Sequence, residues 1–214
     1  LDNAFLAIEK EWQSPSAKIS RSILENYTVY DGPSLPNVLY THHLTDNDIL
    51  DIKTFLEDTG IKNSIETLWG SNIGVCNVRA YRFTSCPPKE KTHYKDNLDE
   101  HNMSFSAHKD GLVNPSLKMM IYKNPEGEDI TLEHGTIEVY VDNRWESAIG
   151  RSPLGVIFPS NLVVHRALQP AKDNVRDCIE ITFIKTKVNN FPVVQAGAHA
   201  GHPIDQDKWE KDNS

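Results

Sequence analysis

Three features that would define other kinds of protein are missing from this sequence. It has only three cysteines, Cys76, Cys86 and Cys178, and none forms a CxxC pair of the zinc or redox type. No run approaches the ~20 apolar residues that cross a membrane. The segment Leu1–Trp12 carries Asp, Glu and Lys and so does not resemble a signal peptide. We therefore expect a cytoplasmic protein with reduced thiols and no membrane partner.

Positive charge is also scarce. The 22 lysines and arginines are outnumbered by 30 aspartates and glutamates, which gives a net charge of −8. Nucleic-acid phosphates require clustered Lys and Arg, and the one basic run, Lys89–Lys91, is interrupted by Glu90. We therefore expect a small-molecule substrate and no nucleic-acid partner, while the oligomeric state is left open.

The residues that are present suit a single domain with a helical start and a β-rich remainder. The 214 residues, 38% of them hydrophobic, are enough to bury one core. Residues 1–70 are predicted to form a helical support, with helices over Ala4–Glu11 and Thr45–Gly60. Residues 71–190 are predicted to form the β core, and residues 191–214 a polar peripheral tail.

Seven short β-rich runs follow residue 70, separated by turn signals such as Cys86-Pro87-Pro88 and the Asn-Pro-Glu-Gly stretch at 124–127. The runs are Ile73–Phe83, Met103–His108, Leu117–Lys123, Thr136–Val141, Gly155–Phe158, Leu162–Arg166 and Cys178–Ile184. Many short strands with frequent turns are typical of a β-sandwich or jelly roll. The fold class predicted from this pattern is mainly β with flanking helices.

One of these runs carries a potential metal site. Side chains two residues apart in a strand share a face, so His108 and Asp110 would point the same way. A second histidine, His165, lies near the end of the apolar run Leu162–Arg166. Two imidazoles and one carboxylate on one face of an octahedron leave three positions open, which is typical of non-haem Fe(II) oxygenases. We predict that His108, Asp110 and His165 are the metal ligands and the catalytic centre.

The last strand adds a candidate anion-binding residue, Arg176, eleven residues after His165. The odd residues of this strand are apolar, whereas Arg176, Cys178, Glu180 and Thr182 share the even face. An arginine directed into the interior is costly unless it meets an anion, and a guanidinium binds a carboxylate through two parallel hydrogen bonds. The pattern therefore predicts that a carboxylate binds beside the metal.

Together these motifs resemble the Fe(II)/2-oxoglutarate-dependent oxygenase superfamily over roughly residues 75–185. The resemblance consists of His108-x-Asp110, His165 and Arg176, in that order. The surrounding segments agree with it: Leu117–Tyr122 before an Asn-Pro turn, His134–Val139, and Gly155–Phe158 before the distal histidine. The order is similar to the phytanoyl-CoA hydroxylase-like branch, whereas Arg144–Ala148 is similar to the plant-type branch, so the branch stays open.

The resemblance implies a double-stranded β-helix, a cupin-like jelly roll, with iron at its mouth. It implies Fe(II) and O2 as cofactors, with ascorbate as an assay additive, and 2-oxoglutarate as a co-substrate that is converted to succinate and CO2. Arg176 would bind the distal carboxylate of 2-oxoglutarate. Tyr122 and Thr182 are predicted as further co-substrate contacts.

The substrate is predicted less closely than the chemistry. Arg79, Tyr81 and Glu180 are candidate substrate contacts, and the leading expectation is hydroxylation of a C–H bond in a small polar metabolite such as an amino acid. A protein-residue hydroxylase is one alternative, with the loop at residues 86–102 as its groove. A cupin-like metal protein or isomerase without oxygenase activity is the other. Arg176 distinguishes the non-oxygenase alternative from the leading expectation, since a cupin-like protein without oxygenase activity does not need an arginine that binds a carboxylate.

Overall fold

The described part of the chain consists mainly of β-strands, with helices before and after them. The computed structural model describes residues 1–13, 39–42, 44–84, 107–111, 115–124, 127–168, 170–171, 174–194 and 205–214. The predicted runs at Met103–Ser106 and the predicted loop at 86–102 therefore lie outside the described residues. Among the described helices, none is long and apolar enough to span a membrane.

Three helices and one short strand come first along the chain, seven strands follow, and a short helix comes last. The helices are α1 (Asp2–Trp12), α2 (Asp46–Asp58), α3 (Ile61–Trp69) and α4 (Gln206–Asp212), with a 3-10 turn at Leu132–His134. The strands are β1 (Leu39–His42), β2 (Ile73–Thr84), β3 (Ser116–Lys123), β4 (Ile137–Val141), β5 (Arg144–Ser147), β6 (Leu154–Phe158), β7 (His165–Ala167) and β8 (Val175–Lys185). The mainly β fold class with flanking helices is confirmed.

Local sequence signals explain the start and end of several elements. Thr45 caps α2 with a capping box, in which its backbone N–H donates to Asp48 Oδ2 at 2.8 Å. Gly60, with φ of 72°, follows α2 in the left-handed conformation that glycine adopts without strain. Asp142 and Asn143, with φ of 50° and 64°, form the two-residue turn that joins β4 to β5.

The strands form two sheets. The larger has the order β1-β2-β8-β3-β6, and the smaller has the order β5-β4-β7. All strand pairs of the two sheets, within the described residues, are antiparallel, and the long central strand β8 pairs with β2 on one side and β3 on the other. An isolated antiparallel bridge between His108 and His165 adds one more segment beside β7.

Two apolar clusters separate the layers. One lies between the helices and the outer face of the large sheet, where β8 contributes Ile179, Ile181 and Phe183. The other joins the opposite face of the large sheet to the small sheet, and it includes Tyr122 and Ile137. Burying both faces of the large sheet is what the alternating pattern of β8 requires.

The structure differs from the sequence predictions at several elements. The prediction of a strand over Leu162–Arg166 is wrong for its first three residues, because β7 begins only at His165. The backbone N–H groups of Leu162 and Val163 both donate to the Pro159 carbonyl instead. Helices α3 and α4 and strand β5 were not predicted. Helix α4 packs on the sheet through Trp209, and Gln206 Nε2 donates to the Lys185 carbonyl at 2.8 Å.

Gly74 in β2 allows this close approach of α4. A Cβ at this position would overlap the Trp209 ring and would lie 3.2 Å from Pro192 Cγ. We expect Gly74→Ala to lower the free energy of unfolding by about 1–3 kcal/mol, the usual cost of overpacking a tight contact. Urea unfolding monitored by tryptophan fluorescence measures this change.

Gly155→Ala in β6 is the matched control, because a Cβ there would lie 3.4 Å from Met119 Cε, at the end of a flexible side chain. The double variant Gly74→Ala with Trp209→Ala should lose less than the two single changes added together, since removing the ring makes room for the methyl group. Additive losses would mean that the two residues are not in contact.

Candidate metal centre

The backbone places His108 and His165 directly opposite each other. The N–H of His108 donates to the His165 carbonyl at 3.0 Å, and the N–H of His165 donates to the His108 carbonyl at 2.9 Å. Residues that exchange both hydrogen bonds have side chains on the same side of the sheet. The two imidazole centroids are accordingly 4.4 Å apart.

Asp110 follows His108 and lies outside the strands of the two sheets. Its backbone N–H donates to the Ser160 carbonyl at 2.9 Å, which anchors the segment. Its Oδ1 atom lies 3.6 Å from His108 Nε2 and 3.6 Å from His165 Nε2. One oxygen of the carboxylate is therefore equally distant from both imidazoles, and Asp110 points the same way as His108, as the two-residue spacing predicted.

These three side chains fit a single metal ion. Their ligand atoms all lie within 4.8 Å of one another, and no other group of this kind is found among the described residues. Metal–ligand bonds of about 2.1 Å put adjacent ligand atoms on the order of 3 Å apart. The spacing in the structure is slightly wider, so small side-chain rotations would complete the coordination. Two histidines and one carboxylate are a donor set that suits ferrous iron.

His165 is held in the orientation that a ligand needs. It is 2% exposed, and its Nδ1 lies 3.1 Å from the Val163 carbonyl. A hydrogen bond from Nδ1–H to this carbonyl would leave Nε2 with its lone pair directed at Asp110 and the metal position. The Phe158 ring packs edge-on against the imidazole, with 5.0 Å between centroids.

Asp110 is ionised in these surroundings. Burial raises the pKa of its carboxyl group, but the nearby imidazoles of His108 and His165 and the positive charge of Lys118 lower it by more. The net result is a pKa far below the usual range for aspartate. A carboxylate that stays ionised throughout the physiological range is ready to bind a divalent cation.

The even face of β8 is turned towards this centre, as strand parity predicted. Arg176, Cys178, Glu180 and Thr182 are all buried. Cys178 belongs to the apolar cluster between the two sheets, whereas Ile179 lies in the cluster under the helices. The inner face of the large sheet thus brings a row of polar groups opposite the small sheet, which carries the histidine ligand His165.

Glu180 is paired with two cations on neighbouring strands. Arg79 NH2 donates to Glu180 Oε2 at 2.9 Å, and Lys118 Nζ lies 3.8 Å from Glu180 Oε1. Burial raises the pKa of Glu180, but Lys118 and Arg79 lower it by more, so the carboxyl group is ionised. Glu180, a candidate substrate contact in the sequence analysis, is thus paired with both Arg79 and Lys118 in the structure.

Arg176 lies further along the inner face, among two phenols and a thiol. It is 3% exposed, and its NH1 donates to the Leu168 carbonyl at 2.9 Å. Burial raises the pKa of Tyr81 and of Tyr122 well above the usual value, and the nearby charge of Arg176 lowers both in part. Both phenols are therefore neutral hydrogen-bond donors beside the guanidinium.

Thr182 provides a further polar group on this face. Its Oγ1 is buried, and within the described residues it has no hydrogen-bond partner. It faces Lys118 on β3 and Asn77 on β2 across the sheet. A buried hydroxyl left without a partner is a position where a ligand oxygen can be accommodated.

Lys118 is the site residue that the sequence predictions missed. Its ammonium lies 2.5 Å from Asp110 Oδ2, and Lys118 as a whole residue is 7% exposed. The signal that could have found it is its parity, since Lys118 shares a face of β3 with Tyr122, which was predicted to contact the co-substrate.

Other residues take structural roles. His134 closes the 3-10 turn, where its Nδ1 accepts from the Thr131 N–H at 3.1 Å. Arg166 lies on the outer side of the small sheet, between Glu138 and the Trp145 ring. His43, His93, His101, His199 and His202 lie outside the described residues.

Comparison with known proteins gives structural similarity without sequence similarity. No family model and no curated protein matches this sequence. Among solved structures, the non-heme α-ketoglutarate-dependent epimerase SnoN from nogalamycin biosynthesis matches with a TM-score of 0.44 and 13% identity, covering 90% of this chain and 85% of that one.

The carbocyclase SnoK from the same pathway, also non-heme and α-ketoglutarate-dependent, gives a TM-score of 0.40 and 14% identity, covering 79% of this chain and 89% of that one. The non-heme monooxygenase ThoJ, as a nickel complex, gives 0.39 and 14%, covering 60% of this chain and 51% of that one. Similarity at these values does not by itself indicate an activity for this chain.

Proposed function

We propose that this protein is an Fe(II)/2-oxoglutarate-dependent oxygenase. The observation that carries the proposal is the convergence of His108, Asp110 and His165 opposite a sheet face that contains the buried Arg176. A three-residue donor set leaves coordination positions open. A buried guanidinium gives a reason for a carboxylate-bearing co-substrate to occupy some of them.

The strand order supports a double-stranded β-helix as the fold. The large sheet has β8 between β2 and β3 with β6 beyond, and the small sheet has β4 between β5 and β7, with the His108 bridge on the far side of β7. From β2 through the His108 segment and β3 to β4, and again from β5 to β8, consecutive segments alternate between the two sheets, while β4 and β5 form a hairpin within the small sheet. This connectivity is that of a jelly roll. The metal ligands then lie between the sheets, at the ends of strands.

Different residues of the chain would hold the iron and the 2-oxoglutarate. His108, Asp110 and His165 would hold the iron, and Arg176, with the neutral phenol of Tyr122 and the Thr182 hydroxyl, would hold 2-oxoglutarate. Bound together with O2, the iron and 2-oxoglutarate supply oxidative decarboxylation to succinate and CO2, coupled to oxidation of a substrate C–H bond. Glu180 stands between Arg176 and Thr182 on β8, and its pairing with Lys118 and Arg79 offsets its repulsion of a dianionic co-substrate.

The oxidised substrate is proposed as a small polar metabolite, such as an amino acid or a biosynthetic intermediate. The proposed binding partner is then a small-molecule substrate, which fits the acidic net charge of −8 better than a nucleic acid would. Arg79 and Tyr81 lie on the same inner face as Arg176 and are the proposed substrate contacts.

The test uses protein purified and loaded with Fe(II) under anaerobic conditions. Adding 2-oxoglutarate should produce the visible absorption band of an iron-bound keto acid, and admitting O2 with a panel of metabolites should release succinate. Iron binding without 2-oxoglutarate binding would leave a cupin-like metal protein without oxygenase activity. Succinate release stimulated only by peptides would instead indicate a protein hydroxylase.

A further inference from the structure

Lys118 is a buried cation in direct contact with a predicted metal ligand. Its ammonium lies 2.5 Å from Asp110 Oδ2, and the side chains of both residues are less than a tenth exposed, at 9% and 7%. A buried lysine is rare unless it is paired, so its position beside the metal ligand requires an explanation.

The two oxygens of Asp110 have different partners. Oδ1 lies 3.6 Å from Nε2 of His108 and 3.6 Å from Nε2 of His165. Oδ2 is instead held against the Lys118 ammonium, at 2.5 Å. The carboxylate is therefore presented to the metal position through one oxygen.

Lys118 is itself fixed from the opposite side. Glu180 Oε1 lies 3.8 Å from its Nζ, and Glu180 is in turn bound by Arg79 NH2 at 2.9 Å. Asn77 Nδ2 donates to the same carboxylate at 3.4 Å. The chain Arg79–Glu180–Lys118–Asp110 thus alternates in charge and links three strands of the large sheet to the metal ligand.

We propose that Lys118 is a positioning residue that keeps Asp110 bound to the metal through Oδ1 alone. To bind through both oxygens, Asp110 would have to withdraw Oδ2 from the ammonium and leave a buried cation with a single, longer ion pair. Separating a buried ion pair in this way is strongly unfavourable. With one oxygen engaged, three coordination positions stay open, which is the number that a chelating keto acid and one further ligand need.

This inference rests on the proposed function for the metal and its co-substrate, and it adds a role for Lys118 in orienting Asp110. The simpler reading is that Lys118 only neutralises a buried carboxylate. The two readings differ in one measurable property, because neutralisation alone does not fix how many metal positions Asp110 occupies.

The first test is a crystal structure of the wild-type protein with Co(II) and 2-oxoglutarate. We expect Oδ1 of Asp110 at a bonding distance of about 2.0–2.2 Å from the metal, and Oδ2 still in contact with Lys118 Nζ. Both carboxylate oxygens bound to the metal, or Lys118 turned away from Asp110, would overturn the proposal. This test needs no variant and so does not depend on whether a variant folds.

The second test uses Lys118→Met, which keeps the length of the side chain but removes the ammonium. Nitric oxide serves as the probe of an open position, because it gives a characteristic electron paramagnetic resonance signal when it binds ferrous iron. With Fe(II) and 2-oxoglutarate both bound, we expect the nitrosyl signal of Lys118→Met to fall at least tenfold below wild type. The freed Oδ2 would then occupy the position that nitric oxide needs.

Lys123→Met is the matched control, because Lys123 lies on the same strand and pairs with Asp2, far from the metal centre. It should keep the wild-type nitrosyl signal. An unchanged signal in Lys118→Met would overturn the proposal, and so would a loss of Fe(II) affinity of more than a hundredfold, since Lys118 would then be needed for Asp110 to bind metal at all.

Failure of the proposed function and failure of the role proposed for Lys118 would give different experimental results. Wild-type protein that takes up neither Fe(II) nor 2-oxoglutarate would remove the proposed function itself. Wild-type protein that binds both and gives a nitrosyl signal, which Lys118→Met also gives at full strength, would remove only the role of Lys118.

Discussion

Replacing His108 with alanine is expected to abolish iron binding and, with it, all succinate formation. His108 supplies one of only three ligand atoms, and two remaining ligands cannot hold ferrous iron in competition with water and buffer. Removing a residue that merely supports a metal ligand already costs 10- to 100-fold in affinity or activity. Removing the ligand itself should therefore lower Fe(II) affinity by considerably more than a hundredfold.

The measurement is anaerobic titration with Fe(II), together with metal analysis of the purified protein. The fold should survive, because the His108 side chain is 22% exposed and its backbone hydrogen bonds to His165 do not depend on the imidazole. Asp110→Asn should behave in the same way. His134→Ala is the matched control, since His134 closes the 3-10 turn and does not belong to the cluster. Equal iron binding in His108→Ala and wild type would show that the cluster is not the metal site.

Replacing Arg176 with methionine is expected to weaken 2-oxoglutarate binding by roughly a hundredfold to a thousandfold. Truncating one partner of a buried, hydrogen-bonded charge pair costs about 2–5 kcal/mol, and 1.4 kcal/mol corresponds to a factor of ten. The iron affinity should stay within about threefold of wild type, since Arg176 is not a ligand. The measurement is a titration of the iron-loaded protein with 2-oxoglutarate, followed by the visible absorption band.

Arg166→Met is the control for charge alone. Arg166 adjoins His165 in the sequence but pairs with Glu138 and stacks on Trp145, on the outer side of the small sheet. Its replacement removes a positive charge close to the metal ligand without altering the inner face. If Arg166→Met and Arg176→Met weaken 2-oxoglutarate binding equally, the effect of Arg176 is general electrostatics rather than direct contact. If Arg176→Met loses iron to the same extent, its role is structural.

Strand parity was the most informative signal in the sequence. It placed Arg176 and Glu180 on the inner face of β8 and Ile181 on the other, because a strand buried on both faces still alternates between two different environments. The same rule brought His108 and Asp110 together, although Asp110 lies outside the strands of the two sheets. Their roles as metal ligands stay predictions until the metal is measured.

The strand predicted from composition failed for the residues just before His165. The apolar run Leu162–Val164 has strand-like composition, yet Leu162 is 55% exposed and the run turns back on Pro159. Backbone hydrogen bonds formed at close range determine this turn, and composition does not report them. Helix α4 was missed for a related reason, since a seven-residue helix depends on its tertiary contact through Trp209 rather than on its own propensity.

The contact between Lys118 and Asp110 was missed because the two residues lie on different segments that only the fold brings together. A lysine in a strand is ordinarily a surface residue, and only the acids Asp110 and Glu180, brought together by the sheet, make its burial favourable. Such a contact can be predicted once the strand order is known. It cannot be predicted from the local sequence alone.

The position of β8 in the large sheet gives the inner face around Arg176 a high local stability. Arg176 and Thr182 lie on a strand that is hydrogen-bonded on both sides, to β2 and to β3. Central strands of this kind open only when the whole domain unfolds. We therefore expect the backbone amides around Arg176 and Thr182 to exchange slowly with deuterium. The surface proposed to receive the co-substrate would thus keep its shape while other segments open locally.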